Sequence, residues 1–300
     1  MRVCNFTLKG ERSSSQRLGL IEGDRVFGLA KGSKAEEFFG PGGVPDRVDR
    51  VGAGYPFTEV SLCAPVPKPG KILATIVNTQ GMLGGSDVRL ERPRIDMKAP
   101  SGVIGPDEVI RGPKGGIRPE VELAAVVGRR ISRASKAEAG EAIFGFTVLN
   151  DVTAPADSRE DAYEAYRRDR KTGEIRKTTL RGPLFRSKNH DTFCPMGPWI
   201  VTREEREDWS RLRMTTKYDG VLIQDGSTSE YLFDPSEIAS YVSQFLSLEP
   251  GDVISCGSVG WTIEALGNLD PTEFVLPYRE GTLELEIDGI GILRNPVSVE

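Results

Sequence analysis

Three acidic residues interrupt apolar runs that otherwise read as buried strands. Glu120 and Glu122 lie in Arg-Pro-Glu-Val-Glu-Leu-Ala-Ala-Val-Val-Gly, and Asp151 lies in Phe-Thr-Val-Leu-Asn-Asp-Val-Thr. Side chains alternate across a strand, so Glu120 and Glu122 share one face while Val121 and Leu123 share the other. If that face is enclosed, uncompensated carboxylates are very costly, and a hard divalent cation with oxygen ligands is the natural compensation. Asp151, ending the next apolar run, would then complete a cluster. If the face is wet, the same pair simply decorates an antiparallel strand.

The rest of the composition narrows the chemistry. A chain of 300 residues, 38% hydrophobic, is long enough for one sizeable core and a smaller module. Its net charge of −5 and lack of a recognition motif argue against nucleic acid as a partner. Met1-Arg-Val-Cys-Asn-Phe-Thr has no long apolar segment, and no later stretch approaches the roughly eighteen apolar residues of a membrane span. The expectation is a cytoplasmic protein with no membrane partner. Cys4, Cys63, Cys194 and Cys256 are far apart and form no CxxC pair, so they are expected as buried small hydrophobes. The single histidine, His190, excludes a two-histidine metal site, and no GxSxG elbow accompanies it.

Along the chain, residues 1–66 alternate short strand patterns (Arg2–Leu8, Arg17–Glu22, Asp24–Leu29) with a helical pattern near Ser33–Phe39 and a Gly-Pro-Gly-Gly turn. This reads as a small N-terminal domain. Ala64-Pro-Val-Pro-Lys-Pro-Gly reads as a stiff linker, and residues 67–300 as a second domain. There the strand candidates are Leu123–Gly128, Phe144–Leu149, Trp199–Thr202, Met214–Tyr218, Asp252–Cys256 and Gly281–Ile287. Helices are expected at Lys136–Ala142, Asp161–Arg170 and Asp234–Leu246, the last burying Ile238, Tyr241, Val242 and Phe245 on one face. Between Asp157 and Arg186 the chain is strongly charged. That stretch reads either as a solvated helical hairpin or as a basic lid or dimer contact.

Read in order, the motifs of the second region resemble the fumarylacetoacetate hydrolase family, and the N-terminal module resembles the small domain that precedes it in bacterial members. Glu120-Val-Glu122-Leu-Ala is similar to the family's Asp/Glu-x-Glu-Leu-Ala, and Asn150-Asp151-Val-Thr-Ala to its Asn-Asp-hydrophobic-Thr/Ser-Ala. Lys188 falls in Lys-Asn-His-Asp-Thr-Phe-Cys-Pro-Met-Gly-Pro-Trp, which resembles the family's lysine segment, and Lys98 falls in Met-Lys-Ala-Pro-Ser. Gln224 and Thr228 lie in Asp-Gly-Val-Leu-Ile-Gln-Asp-Gly-Ser-Thr, and Gly257 and Ser258 close Leu-Glu-Pro-Gly-Asp-Val-Ile-Ser-Cys-Gly-Ser. The resemblance implies an α+β, mostly β fold, a mixed β-sandwich roll with a small N-terminal β-rich domain, and a homodimer. It implies Mg²⁺, Mn²⁺ or Ca²⁺ held by Glu120, Glu122 and Asp151, and a 2-oxo or dicarboxylic acid substrate. Lys98 and Lys188 would contact the substrate or move protons, Gln224 and Thr228 would hydrogen-bond it, and Gly257 and Ser258 would form an oxygen-binding wall.

Two departures bear on the reaction. Where members that hydrolyse or decarboxylate usually carry Asn-Tyr-x-x-His, this chain has Asn78-Thr-Gln-Gly-Met82, and a thioether cannot accept a proton. Where the family has Ala-Arg-Asp-x-Gln, this chain has Ala154-Pro155-Ala156-Asp157-Ser158, so Arg159 or an arginine of the charged stretch would have to substitute in space. His190, beside the lysine motif, is a candidate to compensate for the missing base. The leading expectation is a metal-dependent hydrolase or lyase cleaving a carbon–carbon bond of a 2-oxo or β-diketo acid. The alternatives are a keto–enol tautomerase or oxaloacetate-type decarboxylase, and a metal-binding member without turnover.

Overall fold

The computed structural model describes residues 1–30, 34–40, 49–83, 89–206, 208–269, 274–276 and 280–299. Among these, a twelve-stranded sheet runs in the order Arg50–Pro56, Arg25–Leu29, Arg17–Glu22, Arg2–Leu8, Cys194–Thr202, Ile143–Asn150, Val121–Val127, Val253–Ser258, Ile72–Thr75, Ile95–Lys98. Val60–Cys63 pairs with Arg2–Leu8 and Val103–Ile104 with Cys194–Thr202. A five-stranded sheet (Val221–Ser227, Arg213–Tyr218, Gly281–Ile287, Gly291–Val299, Ile110–Gly112) forms a second layer, and a two-stranded hairpin stands apart. The fold is mostly β with mixed sheets, as the resemblance implied.

Val121–Val127 is buried on both faces, which explains its nearly unbroken apolar run. Leu123, Ala125 and Val127 enter the main core with Phe146, Val148 and Leu285. Ala124 and Val126 enter a second core that holds Val3, Leu18 and Phe38 beside Leu149 and Met196. Strands on both sides of residue 66 thus share one sheet and one core.

All six strand candidates of the second region are strands, five of them within two residues at each end, while the one expected at Trp199–Thr202 begins earlier, at Cys194. The helix at Lys136–Ala142 forms behind a Ser135–Glu138 capping box. Two expectations need correction. The helix expected over Asp161–Arg170 is instead the strand Tyr163–Arg168, paired antiparallel with Ile175–Leu180. Its partner is rich in β-branched Ile175, Thr178 and Thr179, and the pairing favours extended chain for both segments. The helix beginning at Pro235 ends at Ser243, so Phe245 lies beyond it and is exposed rather than buried. Most of the Gly-Pro-Gly-Gly turn lies outside the described residues. All four cysteines are free and buried.

Candidate active site

The sheet itself assembles the acidic wall. Val121 pairs with Asn150, and the same antiparallel register continues beyond the strand ends. The Asp151 N–H donates to the Glu120 carbonyl at 3.0 Å, and Arg118 and Thr153 form a further bridge. Arg118, Glu120 and Glu122 therefore project to one face by simple alternation, with Asp151 and Thr153 beside them. On the other flank Glu122 pairs with Ser258 of Val253–Ser258. Glu120, Glu122 and Asp151 are only 5%, 3% and 4% exposed, which rules out the wet-strand reading.

These residues line a cavity of about 340 Å³ together with Thr75, Ile76, Val77, Gly81, Met82, Leu83, Arg118, Thr153, Arg181, Leu184, Lys188 and Ser258. Lys188 Nζ donates to Glu120 Oε2 at 2.7 Å and to Asp151 Oδ2 at 2.5 Å. From behind the wall, Lys98 Nζ lies 2.7 Å from Asp151 Oδ1 and donates to the carbonyls of Val152 and Lys188. Thr153 Oγ1 donates to Glu120 Oε2, and Arg118 Nε lies 3.4 Å from Glu120 Oε1. Glu122 Oε2 accepts from Ser255 Oγ at 2.5 Å and from the Gly257 N–H at 2.9 Å. Gly257 has φ 102°, and a Cβ there would stand 2.5 Å from the Asn78 Cβ, so only glycine brings this N–H to the carboxylate.

Burial first, and then the charges of Asp151 and Glu120, push the Glu122 carboxyl up to about 8. Burial also acts to raise Asp151, but the Lys188 and Lys98 ammoniums outweigh it and hold that carboxyl at about 2. For Lys188, burial favours the neutral amine, yet Asp151 and Glu120 prevail and keep it protonated above the ordinary lysine range.

This donor set suits a hard divalent cation. It offers three hard carboxylates on one cavity wall, and one of them, Glu122, is pushed towards its neutral form first by burial and then by the charges of the other two, both of which a cation would offset. Among the described residues no three acidic, imidazole or thiol groups already converge at ion-binding geometry. The Lys188 ammonium joins Glu120 and Asp151 instead, so an ion held by all three carboxylates would compete with it for those oxygens.

Of the ten residues singled out from sequence, Glu120, Glu122, Asp151, Lys188 and Ser258 line the cavity. Lys98, Gln224 and Gly257 touch those that do. Gln224 is fully buried: its carbonyl oxygen accepts from the Val121 N–H and Thr216 Oγ1, and its amide donates to Ser258 Oγ and the Val259 carbonyl. It braces the wall. Thr228 lies against a different cavity of about 540 Å³, where its hydroxyl accepts from the Leu212 N–H and donates to the Trp209 carbonyl. His190 is not among the cavity-lining residues; its Nε2 lies 2.5 Å from Asp157 Oδ2.

Among the polar lining residues, sequence reasoning did not name Arg118, Thr153 and Thr75, and it reached Arg181 only as an unspecified arginine of the charged stretch. The buried Thr75 hydroxyl has no hydrogen-bond partner among the described residues. Met82 lines the cavity too, on a segment pinned by Asn78, whose amide donates to the Phe233 and Cys256 carbonyls, and by Thr79 Oγ1, which donates to the Ser258 carbonyl. Val77 opens that segment at φ 56°, a costly conformation for a β-branched residue and one these bonds must hold in place.

Comparison with known proteins gives matches over most of the chain. The family described as "Fumarylacetoacetate (FAA) hydrolase C-terminal" matches residues 74–298. The chain is 31% identical over 252 residues to the oxaloacetate tautomerase YisK of Bacillus subtilis, covering 81% of this chain and 75% of that protein. It is 31% identical over 246 residues to the human mitochondrial oxaloacetate tautomerase FAHD2A, covering 81% and 71%. Among solved structures, 5-carboxymethyl-2-hydroxymuconate delta-isomerase from Mycobacterium smegmatis superposes with a TM-score of 0.75 at 29% identity over the full length of both chains. Fumarylacetoacetate hydrolase from Exiguobacterium antarcticum superposes at 0.77 and 26%, again over both full lengths.

Proposed function

Given that the chain is an enzyme of the fumarylacetoacetate hydrolase family, we propose that it interconverts the enol and keto forms of a 2-oxo acid of the oxaloacetate type. The observation that carries this reading is the pairing of Met82 with Lys188 on one cavity. A thioether stands at the sequence position where similar hydrolysing proteins carry a base, and it lines the same cavity as an ammonium held between two carboxylates. The similar tautomerases and isomerases favour the same alternative over carbon–carbon cleavage.

In this reading Glu120, Glu122 and Asp151 hold a divalent ion, Mg²⁺ or else Mn²⁺ or Ca²⁺, and the protein works as a homodimer. The ion, when bound, would supply Lewis acidity to polarise a 2-oxo acid. Lys188, which its neighbours favour as the ammonium, delivers a proton to C3 of the enol while the enol hydroxyl proton passes to solvent, and solvent then reprotonates the amine; in reverse the neutral amine takes the C3 proton and solvent returns one to the oxygen. Lys98 holds Asp151 and the Lys188 carbonyl, so it keeps the shuttle lysine aimed. Thr75 Oγ1 offers a hydrogen bond to the substrate. Ile76, Val77, Leu83 and Leu184 add apolar surface to the lining of the same cavity.

The test follows oxaloacetate by ultraviolet absorbance of the enol and by proton NMR of pyruvate, with Mg²⁺ present. Accelerated interconversion without matching pyruvate is expected. Pyruvate appearing as fast as oxaloacetate disappears would replace the tautomerase reading with decarboxylation.

A further inference from the structure

Three cations line the cavity, and two are already engaged. Lys188 bridges Glu120 and Asp151, and Arg118 lies beside Glu120. Arg181 differs. Its Nε donates to Ser158 Oγ at 3.3 Å, and among the described residues no carboxylate lies within ion-pair distance of it. Five residues on, Arg186 shows the contrast, being surrounded by Asp157, Glu160 and Asp161.

The chain places Arg181 deliberately. It follows the return strand Ile175–Leu180, and the next residue, Gly182, packs so tightly on Asp161 that a Cβ would meet that backbone at 2.5 Å. The two ends of the charged segment are thereby clamped together. The helix Pro155–Glu160, which starts just after the acidic wall, supplies the buried Ser158 hydroxyl that orients the guanidinium.

We infer that Arg181 is the specificity residue for the far end of the substrate: it pairs with the distal carboxylate of a dicarboxylic 2-oxo acid whose 2-oxo end meets Glu120, Glu122, Asp151 and Lys188. The inference rests on the reading of the preceding subsection and names the substrate class for that site. A guanidinium matches a carboxylate through two parallel hydrogen bonds, and the apolar side chains of Ile76, Met82, Leu83 and Leu184 around the same cavity strengthen such a pair. A monocarboxylic 2-oxo acid would leave Arg181 without its anion.

The experiment compares binding of 2-oxoglutarate and 2-oxopentanoate, which differ only in the distal carboxylate, to Mg²⁺-loaded wild-type, Arg181→Gln and Arg181→Lys proteins by calorimetry. Oxaloacetate tautomerisation is assayed in parallel. The wild type is expected to prefer 2-oxoglutarate. Arg181→Gln should lose about 10- to 100-fold of that preference while binding 2-oxopentanoate unchanged, and Arg181→Lys should keep part of it. No preference in the wild type, or equal weakening of both ligands in Arg181→Gln, overturns the assignment. A selective loss in Arg181→Gln without any tautomerisation by the wild type would instead retain Arg181 as the dicarboxylate reader and reject the tautomerase reading.

Discussion

The acidic wall at Glu120, Glu122 and Asp151 and the charged segment 157–186 carry similar side chains and treat them in opposite ways. In the wall every charge is buried: the Lys188 and Lys98 ammoniums hold Asp151 down, while Glu122, bonded only to the Ser255 hydroxyl and the Gly257 N–H, is pushed up by burial and by the charges of Asp151 and Glu120. In the hairpin, Glu164 pairs with Lys177 and Arg176 with Glu174, all in solvent. Buried charge of the first kind is mutually dependent, since removing one member strands the rest. Exposed pairs of the second kind are screened and replaceable. The hairpin still matters to the site, but through the position it gives Arg181 and not through its ion pairs.

The largest effect should come from the wall. Lys188→Met should lower tautomerase turnover by about 10²- to 10⁴-fold, the usual contribution of a positioned proton donor. The same variant should bind Mg²⁺ at least as tightly as the wild type, because the ammonium no longer competes for Glu120 and Asp151. Weaker Mg²⁺ binding by calorimetry would break this account of the lysine's place.

Next in size is Gly257→Ala. Its Cβ would collide with Asn78 at a positive φ, so a stability loss of about 1–3 kcal/mol by urea denaturation is expected. Activity should fall as well, since the Gly257 N–H holds Glu122. Wild-type stability in this variant would show that the close approach is not required.

A smaller effect concerns pH. The Glu122 carboxyl is raised from 4.5 to about 8 in the folded chain, so its contribution is fully present below pH 4.5 and is lost as pH rises through 8. Asp151 has the opposite sign, with stability present above 3.8 and lost as pH falls towards 2. With EDTA present, the wild-type Tm should therefore drop by several degrees between pH 4.5 and 8, and Glu122→Gln should flatten that slope. Equal slopes would remove the account of Glu122 as a carboxyl raised by burial and by its charged neighbours. Smallest of all, Glu164→Ala on the hairpin should move Tm by no more than about 2 °C and leave activity within about two-fold. A larger change would mean the two regions are coupled.

The contrast also explains what the sequence disclosed. Glu120, Glu122 and Asp151 were legible because strand alternation is local and a carboxylate inside an apolar run stands out. Arg118 and Thr153 obey the same alternation, yet Pro119 reads as a break and hides the continuing register. Arg181 could be anticipated only as one of several arginines of the charged stretch, for a different reason. It arrives through the pairing of Tyr163–Arg168 with Ile175–Leu180, and non-local pairing leaves no periodic mark in a charged segment that also fits a helix. Motif matching found Gln224, but only its four hydrogen bonds reveal a brace for the wall. It also pointed to Thr228, which the fold sets against another cavity.

The most direct measurement is the Mg²⁺ dependence of oxaloacetate enol–keto interconversion in the wild type and Glu122→Gln, side by side. The wild-type rate should collapse with EDTA and return with Mg²⁺, while Glu122→Gln should stay at the uncatalysed rate at the same Mg²⁺ concentration. Equal acceleration by both proteins, undiminished by EDTA, would contradict the assignment of the acidic wall as the catalytic centre.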